Sequence, residues 1–162
     1  MFVNDEEFVA LKARYNQYEA CNFPNCDKLM IPVLQKINSL AGVTTVFCCE
    51  GHHESDEGNY ENMGSRIYVL LAVTEDGFPS IHRLYQELTQ RLNMTHRVDV
   101  AFHQSIWPIG VDIKNYAEFL RAKLYSACCL SNVLIGHSRN MFEDYKLEFL
   151  QAICDSVDNI NC

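Results

Sequence analysis

The spacing of apolar positions predicts two helices at the start of the chain. A helix over residues 5–18 has one apolar face, which comprises Phe8, Leu11, Tyr15 and Tyr18. Asn4 and Glu7 have the spacing of a capping box, so this helix is expected to begin there. A second helix carries an apolar stripe of Val33, Leu34, Ile37 and Leu40. It ends before Gly42, and Pro32 fits its first turn.

Two strands and a connecting loop are predicted next. Residues 43–49 are rich in β-branched and aromatic side chains, which is typical of a β-strand. Residues 66–73 are apolar on both alternating faces, which indicates a central strand covered on both sides. Residues 51–65 between them are polar and are expected to form a loop.

The remaining elements complete the predicted sheet and its helices. A helix is expected where apolar residues recur at Ile81, Leu84, Leu88 and Leu92. Strands over residues 97–102 and 106–113 follow, and Pro108 would place the second of these at a sheet edge or a bulge. Helices over residues 115–129 and 140–157 close the chain. The predicted order is therefore ααββαββαα, an α+β fold with an antiparallel-rich four-stranded sheet covered by helices.

Composition narrows the class of protein. The chain has 162 residues, with 13 basic and 21 acidic side chains and a net charge of −8, which makes nucleic acid an unlikely partner. No apolar run reaches the roughly 18 residues that span a bilayer, so no membrane segment is expected. Without a linker or repeat, residues 1–162 are predicted to form a single domain. The first residues lack the pattern of a secretion signal, which indicates a cytoplasmic protein.

Eight cysteines make this acidic chain cysteine-rich. Two vicinal pairs, Cys48 with Cys49 and Cys128 with Cys129, cannot easily reach ordinary disulfide geometry. In a reducing compartment most of these thiols are expected to be small buried groups or free surface thiols. The chain has no CxxC pair, so a zinc ribbon is not indicated.

The predicted topology brings reactive side chains to one edge of the sheet. The end of the first strand would lie beside the start of the second, and a helical crossover would return the start of the third strand to that edge. The expected group comprises Cys49, Glu50, Gly51, His52, His53, Arg66, His96, Asp112 and Lys114. We therefore expect a small pocket for a polar, nucleotide-like molecule there.

Each member of this group has a possible chemical role. His52 or Arg66 could lower the pKa of Cys49, which would then act as a nucleophile, with Glu50 or His52 as acid or base. Gly51 would let backbone amides approach a ligand. Further ligand contacts are expected from Arg66, His96, Asp112 and Lys114. The predicted helix start at Asn115 offers backbone donors for a phosphate.

A metal site is an alternative use of the same atoms. Cys49, His52 and His53 could ligate zinc, with neighbouring acidic residues, His96 or Asp112 completing the coordination. Adjacent histidines rarely both ligate one ion, and the chain has no HExxH motif. The third interpretation assigns no site: Cys48 and Cys49 pack at the end of the strand, and the histidines and acidic residues that follow form a solvated loop.

The segment over residues 37–73 resembles small uncharacterised proteins of large tailed bacteriophages. The resemblance rests on Thr44-Thr45-Val46-Phe47-Cys48-Cys49-Glu50-Gly51-His52, followed by an apolar strand. It implies a phage protein made in the host cytoplasm, in a group that often acts in counter-defence or host takeover. The Cys-x-Gly-basic turn is also similar to that of wybutosine-synthesising methyltransferases of transfer RNA, whose motif ends in Arg where this chain has His52.

Two functional classes follow from these observations. In the first, the Cys-Glu-Gly-His turn binds or processes a nucleotide-like molecule or a metal ion. In the second, the chain is a non-enzymatic acidic inhibitor in a host–virus interaction, and its surface occupies a basic site on a host protein. Substitution of Cys49 or His52 would abolish activity in the first class and be silent in the second.

Overall fold

A computed structural model describes residues 2–53, 55–56, 66–92, 96–105, 125–134 and 137–162. The helices in these ranges are α1 (Asp5–Ala20), α2 (Met30–Asn38), α3 (Phe78–Arg91) and α4 (Arg139–Asn161). The strands are β1 (Val43–Cys49), β2 (Arg66–Val73), β3 (Val98–Ser105) and β4 (Tyr125–Val133). The α+β class is confirmed, and these elements follow the order α, α, β, β, α, β, β, α.

The four strands form one antiparallel sheet in the order β1-β2-β4-β3. Because β2 and β3 are both antiparallel to β4, they run in the same direction, as the crossover argument predicted. They are not neighbours, since β4 lies between them. The starts of β2 and β3 therefore lie at the same end of the sheet as the end of β1.

The main core lies between one face of the sheet and helices α2, α3 and α4. Alternation along β2 places Ile67, Val69 and Leu71 in this core, each at most 1% exposed. Full burial of one such side chain contributes about 1.5–3 kcal/mol. On the opposite face Ala72 packs with Leu11 of α1 in a smaller cluster. Both faces of β2 are thus in contact with helices, as its apolar sequence indicated.

The helix predicted over residues 115–129 is wrong at its carboxyl end, because residues 125–129 belong to β4. Cys128 and Leu130 are each 1% exposed in the helix-covered core, whereas Cys129 between them is half-buried. Cys128 and Cys129 are therefore strand residues. Their burial has the period of two expected for a strand, and pairing with β2 and β3 on both sides stabilises this conformation. The strand predicted over residues 106–113 lies outside the described residues.

One end of the sheet, which we call the glycine end, joins Asn38–Thr45 to Val73–Gly77. The carbonyl oxygen of Gly42 accepts a hydrogen bond from the backbone of Thr74 at 2.9 Å. Gly42 has a φ of +68°, and a Cβ there would lie 2.7 Å from the Cα of Gly77. Both glycines are needed because the two backbones meet without room for a side chain.

The opposite end of the sheet, which we call the histidine end, carries residues 49–53, 55–56, 66–67, 96–98, 131–134 and 137–139. Four of the six histidines of the chain lie here, namely His52, His53, His96 and His137. Helix α4 begins at this end and places its first turns beside these residues. Among the described helices, none is long and apolar enough to cross a membrane.

Candidate functional site

Strand pairing brings much of the predicted edge together at the histidine end. Cys49 pairs with Tyr68, and Arg66 pairs with Val133 of β4. Val98 pairs with Asn132, so the residues just before β3 lie at this same end. The positions of Cys49, Glu50, Gly51, His52, Arg66 and His96 thus agree with the expected gathering. Asp112 and Lys114 lie outside the described residues.

Gly51 turns the chain sharply after β1. Its φ is +80°, and a Cβ would lie 3.0 Å from Cγ1 of Ile67 and 3.3 Å from the carbonyl oxygen of Arg66. A left-handed conformation this close to β2 favours glycine. The turn also lets the backbone N–H of Gly51 donate a hydrogen bond to the sulfur of Cys49.

The Cys49 thiol does not have the lowered pKa that a nucleophile would require. Burial raises its pKa, although the N–H of Gly51 and the charge of Lys146 oppose this shift. The same effect is stronger at Cys48, which is more deeply buried and hydrogen-bonded to Cys26. A thiolate is the reactive form of cysteine, so this environment favours a neutral, weakly reactive Cys49.

Glu50 lies in a charged cluster that sequence analysis missed. Its carboxylate is 3.7 Å from Nζ of Lys146, which also contacts the carboxylate of Glu143 at 2.7 Å. The Lys146 side chain is only 5% exposed and Glu50 22%, and the ammonium group lies 5.4 Å from the ring centre of Phe142. Burial raises the pKa of Glu50, while the positive charge of Lys146 partly offsets this effect.

Lys146 is a buried lysine on the face of α4 that packs against the apolar core. The buried residues of α4 recur at Phe142, Lys146, Phe149 and Ile153, so the lysine belongs to the helix stripe that contacts the core. A lysine inside an apolar stripe is seldom fully buried unless it is paired. This interruption of the stripe was the sequence signal that could have identified it.

The two adjacent histidines have different environments. His52 is exposed, whereas His53 is 7% exposed. Nε2 of His53 lies 2.9 Å from the carbonyl oxygen of His137 and therefore donates the proton, while Nδ1 accepts from the backbone N–H of Ser55 at 3.1 Å. Nε2 thus holds the loop against the start of α4, while Nδ1 stabilises the turn within the loop. The Nδ1 lone pair that would ligate a metal ion is already used in this arrangement.

His96 is also fixed by hydrogen bonds on both ring nitrogens. Nδ1 accepts from the side-chain amide of Asn132 at 2.8 Å, and Nε2 donates to Glu148 at 3.0 Å. The imidazole has no exposed surface, and its ring meets that of Tyr145 edge-on at 5.4 Å. The side chain that was expected to contact a ligand instead links β3, β4 and α4. Asn132 and Glu148 were not identified from the sequence.

The described residues contain no group of three or more His, Cys, Asp or Glu side chains that could hold a metal ion. The set of Cys49, His52 and His53 therefore receives no geometric support as a zinc site. Two cavities, of about 270 and 380 Å³, are lined by residues of other regions. The histidine end is an accessible edge, where exposed His52 lies close enough to the half-buried Glu50 to act on its charge, beside the buried Lys146. Arg66 is exposed at the start of β2, where its charge acts on Cys129.

Comparison of the chain with protein-family models, with curated proteins and with solved structures gives no match.

Proposed function

We propose that the histidine end binds a small polar molecule with an anionic group, of the nucleotide-like class. The observation that carries this proposal is the ion pair of buried Lys146 with half-buried Glu50 at an accessible turn. Removing two charges from water costs several kcal/mol per ion, and a buried pair often stabilises a fold no better than apolar packing would. Charged groups in such positions are therefore frequently functional.

The surrounding charges indicate what the ligand would offer. Exposed Arg66 can form paired hydrogen bonds with a phosphate or carboxylate, and exposed His52 can add a donor. Glu50 can accept a hydrogen bond from a hydroxyl or amino group of the same ligand. The ligand would thus combine an anionic group with hydrogen-bond donors, as a nucleotide does.

Glu50 and His52 are the residues we assign to acid or base chemistry if the bound molecule reacts. Burial raises the pKa of Glu50, which brings a carboxyl group closer to the range where it can both donate and accept a proton near neutrality. Cys49 is assigned a packing role beside this pair, because its environment favours the neutral thiol. The resemblance of residues 37–73 to phage proteins supports a role in the host cytoplasm, in counter-defence or host takeover.

A second candidate is an acidic inhibitor of a host protein, and the opposite end of the molecule favours it. Carboxylates are concentrated near the glycine end, at Asp5, Glu6, Glu7, Glu75 and Asp76, and are exposed with the exception of half-buried Glu7. Asp5, Glu75 and Asp76 line the 380 Å³ cavity, which lies between the start of α1 and the turn after β2. With a net charge of −8, such a surface would attract a basic partner site.

Native mass spectrometry of the purified full chain, followed by ligand-dependent thermal shifts, tests the first proposal. The probes are adenosine, uridine and guanosine monophosphates, inorganic phosphate and free nucleosides. We expect at least one nucleotide to raise Tm, and Arg66→Ala and Glu50→Gln to weaken its binding at least tenfold. The matched control is Arg83→Ala, which removes an exposed arginine on α3.

Two results would contradict this assignment. One is equal binding by the Arg66→Ala and Arg83→Ala variants, which would place the ligand elsewhere. The other is a protein that carries no small molecule and responds to none of these probes. The acidic-inhibitor proposal would instead be supported by salt-sensitive binding to a basic protein surface that Glu75→Lys weakens and Arg66→Ala does not.

A further inference from the structure

Two thiols from separate elements meet beside the end of β1. Helix α2 packs against β1 and is joined to it by residues 39–42, so the two elements run in opposite directions. The residues before α2 therefore lie near the end of β1. Cys26 precedes α2, and Cys48 lies in β1. Both are half-buried, both pack against the main core, and their thiols are hydrogen-bonded to each other.

The turn between α1 and α2, residues 21–29, holds Cys26 in a fixed position. Asn22, Phe23 and Asn25 have φ values of +57°, +51° and +61°, a left-handed conformation that residues other than glycine seldom adopt. Phe23 is 7% exposed, and its ring meets that of Tyr18 edge-on at 5.4 Å. The backbone N–H of Cys26 donates to the carbonyl oxygen of Phe23 at 3.1 Å. Packing of Phe23 thus maintains a strained turn that places Cys26 against β1.

The hydrogen-bond partners of the two thiols assign them different roles. The thiol of Cys26 donates to the carbonyl oxygen of Asp27 at 3.5 Å, so its sulfur accepts in the bond with Cys48. Cys48 is therefore the donor, and burial raises its pKa, which keeps this thiol protonated. Cys26 lies on a surface turn, where an oxidant reaches it first. A cysteine that reacts first beside a second thiol that completes the reaction is the arrangement of many redox-sensing sites.

We propose that Cys26 and Cys48 form a site of reversible oxidation by peroxides, in which a disulfide links the turn between α1 and α2 to β1. In the first step the sulfur of Cys26 attacks a peroxide oxygen, an S–O bond forms, the O–O bond breaks, and water leaves with the Cys26 proton. In the second step the sulfur of Cys48 attacks that of Cys26, the S–S bond forms, the S–O bond breaks, and water leaves with the Cys48 proton. Two thiols together lose two electrons, which reduce one hydrogen peroxide to two water molecules.

The disulfide would act on stability by closing the segment of residues 26–48, which contains α2. Such a closure mainly restricts the unfolded chain, provided that the bond fits the native geometry. The adjacent Cys49 is a poor alternative partner for Cys48, because vicinal cysteines cannot easily reach ordinary disulfide geometry. The site lies two residues before Glu50 but does not depend on the ligand proposed for the histidine end.

Peroxide treatment of the full chain, followed by tryptic mapping without reduction, tests the proposal. We expect a peptide of residues 15–28 to become linked to one of residues 37–66, and dithiothreitol to separate them again. The same treatment in denaturing urea is the control for proximity. Because only the folded chain holds the two thiols in contact, the share of this linked pair among all disulfide-linked peptides should fall at least about threefold in urea.

Serine variants identify the sulfur atoms, since the linked peptides also contain Cys21 and Cys49. Cys26→Ser and Cys48→Ser should each abolish the linked pair, whereas Cys21→Ser and Cys49→Ser should retain it. Thermal melts of the reduced variants confirm that each is folded. Cys26→Ser lies on the surface turn and is the decisive variant if Cys48→Ser does not fold.

Thermal stability shows whether the bond fits the native fold. Oxidation should raise the Tm of the wild type by at least about 5 °C and leave that of Cys26→Ser unchanged. The proposal is overturned if the linked peptides persist in Cys26→Ser, if their share is the same in urea, or if oxidation fails to raise the Tm of the wild type. Oxidation of Cys26 to the sulfinic acid without a linked peptide would also overturn it, because Cys48 would then not complete the reaction.

Discussion

The two ends of the sheet both bury polar groups, but of different kinds. At the glycine end, the side chain of Asn38 bonds Thr44 and Thr45 of β1 and the carbonyl oxygen of Leu34, at 2.6–3.2 Å. These partners are neutral and buried, and Lys12 of α1 adds a charged donor, with its Nζ 2.7 Å from the backbone carbonyl oxygen of Asn38 and 3.4 Å from Oδ1. At the histidine end, buried Lys146 pairs with half-buried Glu50, and buried His96 bonds the exposed carboxylate of Glu148. A buried network built mainly from amide and hydroxyl groups indicates a structural role, whereas pairs of ionisable side chains at an accessible edge indicate a site.

Substitution of Gly42 and Gly51, the glycines with positive φ at the two ends of the sheet, should give the largest losses of stability. Gly42→Ala would place a Cβ 2.7 Å from the Cα and 2.8 Å from the backbone nitrogen of Gly77, in addition to the strain of φ +68°. We expect a loss of about 4 kcal/mol in the free energy of unfolding. Gly51→Ala meets its nearest atom, on a side chain, at 3.0 Å and should lose about 2 kcal/mol. Urea denaturation measures both, and a larger loss at Gly51 would contradict the ranking.

Removal of the Asn38 side chain should have the next largest effect. Asn38→Ala leaves the Thr44 hydroxyl and the Thr45 backbone N–H without an acceptor in a buried position. We expect a loss of about 3 kcal/mol in unfolding free energy, because each unsatisfied buried group costs roughly 1–3 kcal/mol. The loss should be the same at pH 5 and pH 8, since no partner in the network is a carboxylate or histidine. Asn16→Ala, at an exposed position on α1, is the control and should be nearly neutral.

The parts of this structure that could be predicted are those governed by local pattern. The continuous apolar run of Arg66–Val73 predicted β2 and its central place, and the alignment of β1 with β2 predicted that Cys49 and Arg66 share an edge. The contacts of Lys146 could not be predicted in this way. They depend on how α4 crosses the sheet, which is set by packing between residues far apart in sequence.

The prediction for the segment that forms β4 failed because of such long-range contacts. Helical spacing before residue 125 extended the predicted helix into a segment whose burial alternates in the structure. Its insertion between β2 and β3 places Asn132 against His96, a contact between residues 36 positions apart. Local propensity is a weak guide where pairing with two neighbouring strands determines the conformation.

The pH dependence of stability should distinguish the histidine end from the glycine end. Burial raises the pKa of Glu50 above its ordinary 4.5, so the folded state holds this proton more tightly than the unfolded state. Its contribution to stability is therefore complete below pH 4.5 and is lost as the pH rises through the folded pKa. Urea midpoints of the wild type and Glu50→Gln between pH 4 and 8 should diverge accordingly.

Asp56 provides a control of opposite sign for Glu50. Its hydrogen bond with Arg139 lowers the pKa of this half-buried residue's carboxyl, so its contribution is present at neutral pH and is lost as the pH falls below 3.8. Asp56→Asn should therefore leave the profile between pH 5 and 8 unchanged. If Glu50→Gln and Asp56→Asn gave the same profile, burial of Glu50 would have no energetic consequence.

The smallest effect on stability is expected at His52, and the neighbouring His53 makes the comparison direct. His52 is exposed, so His52→Ala should change the free energy of unfolding by less than about 0.5 kcal/mol. His53→Ala should lose about 2 kcal/mol, because it removes a buried side chain and leaves the partly buried carbonyl oxygen of His137 without this donor. Ligand affinity should show the reverse order, since only His52 is accessible to a bound molecule. A His52→Ala variant that is as destabilised as His53→Ala would mean that both histidines are structural, and the histidine end would then resemble the glycine end.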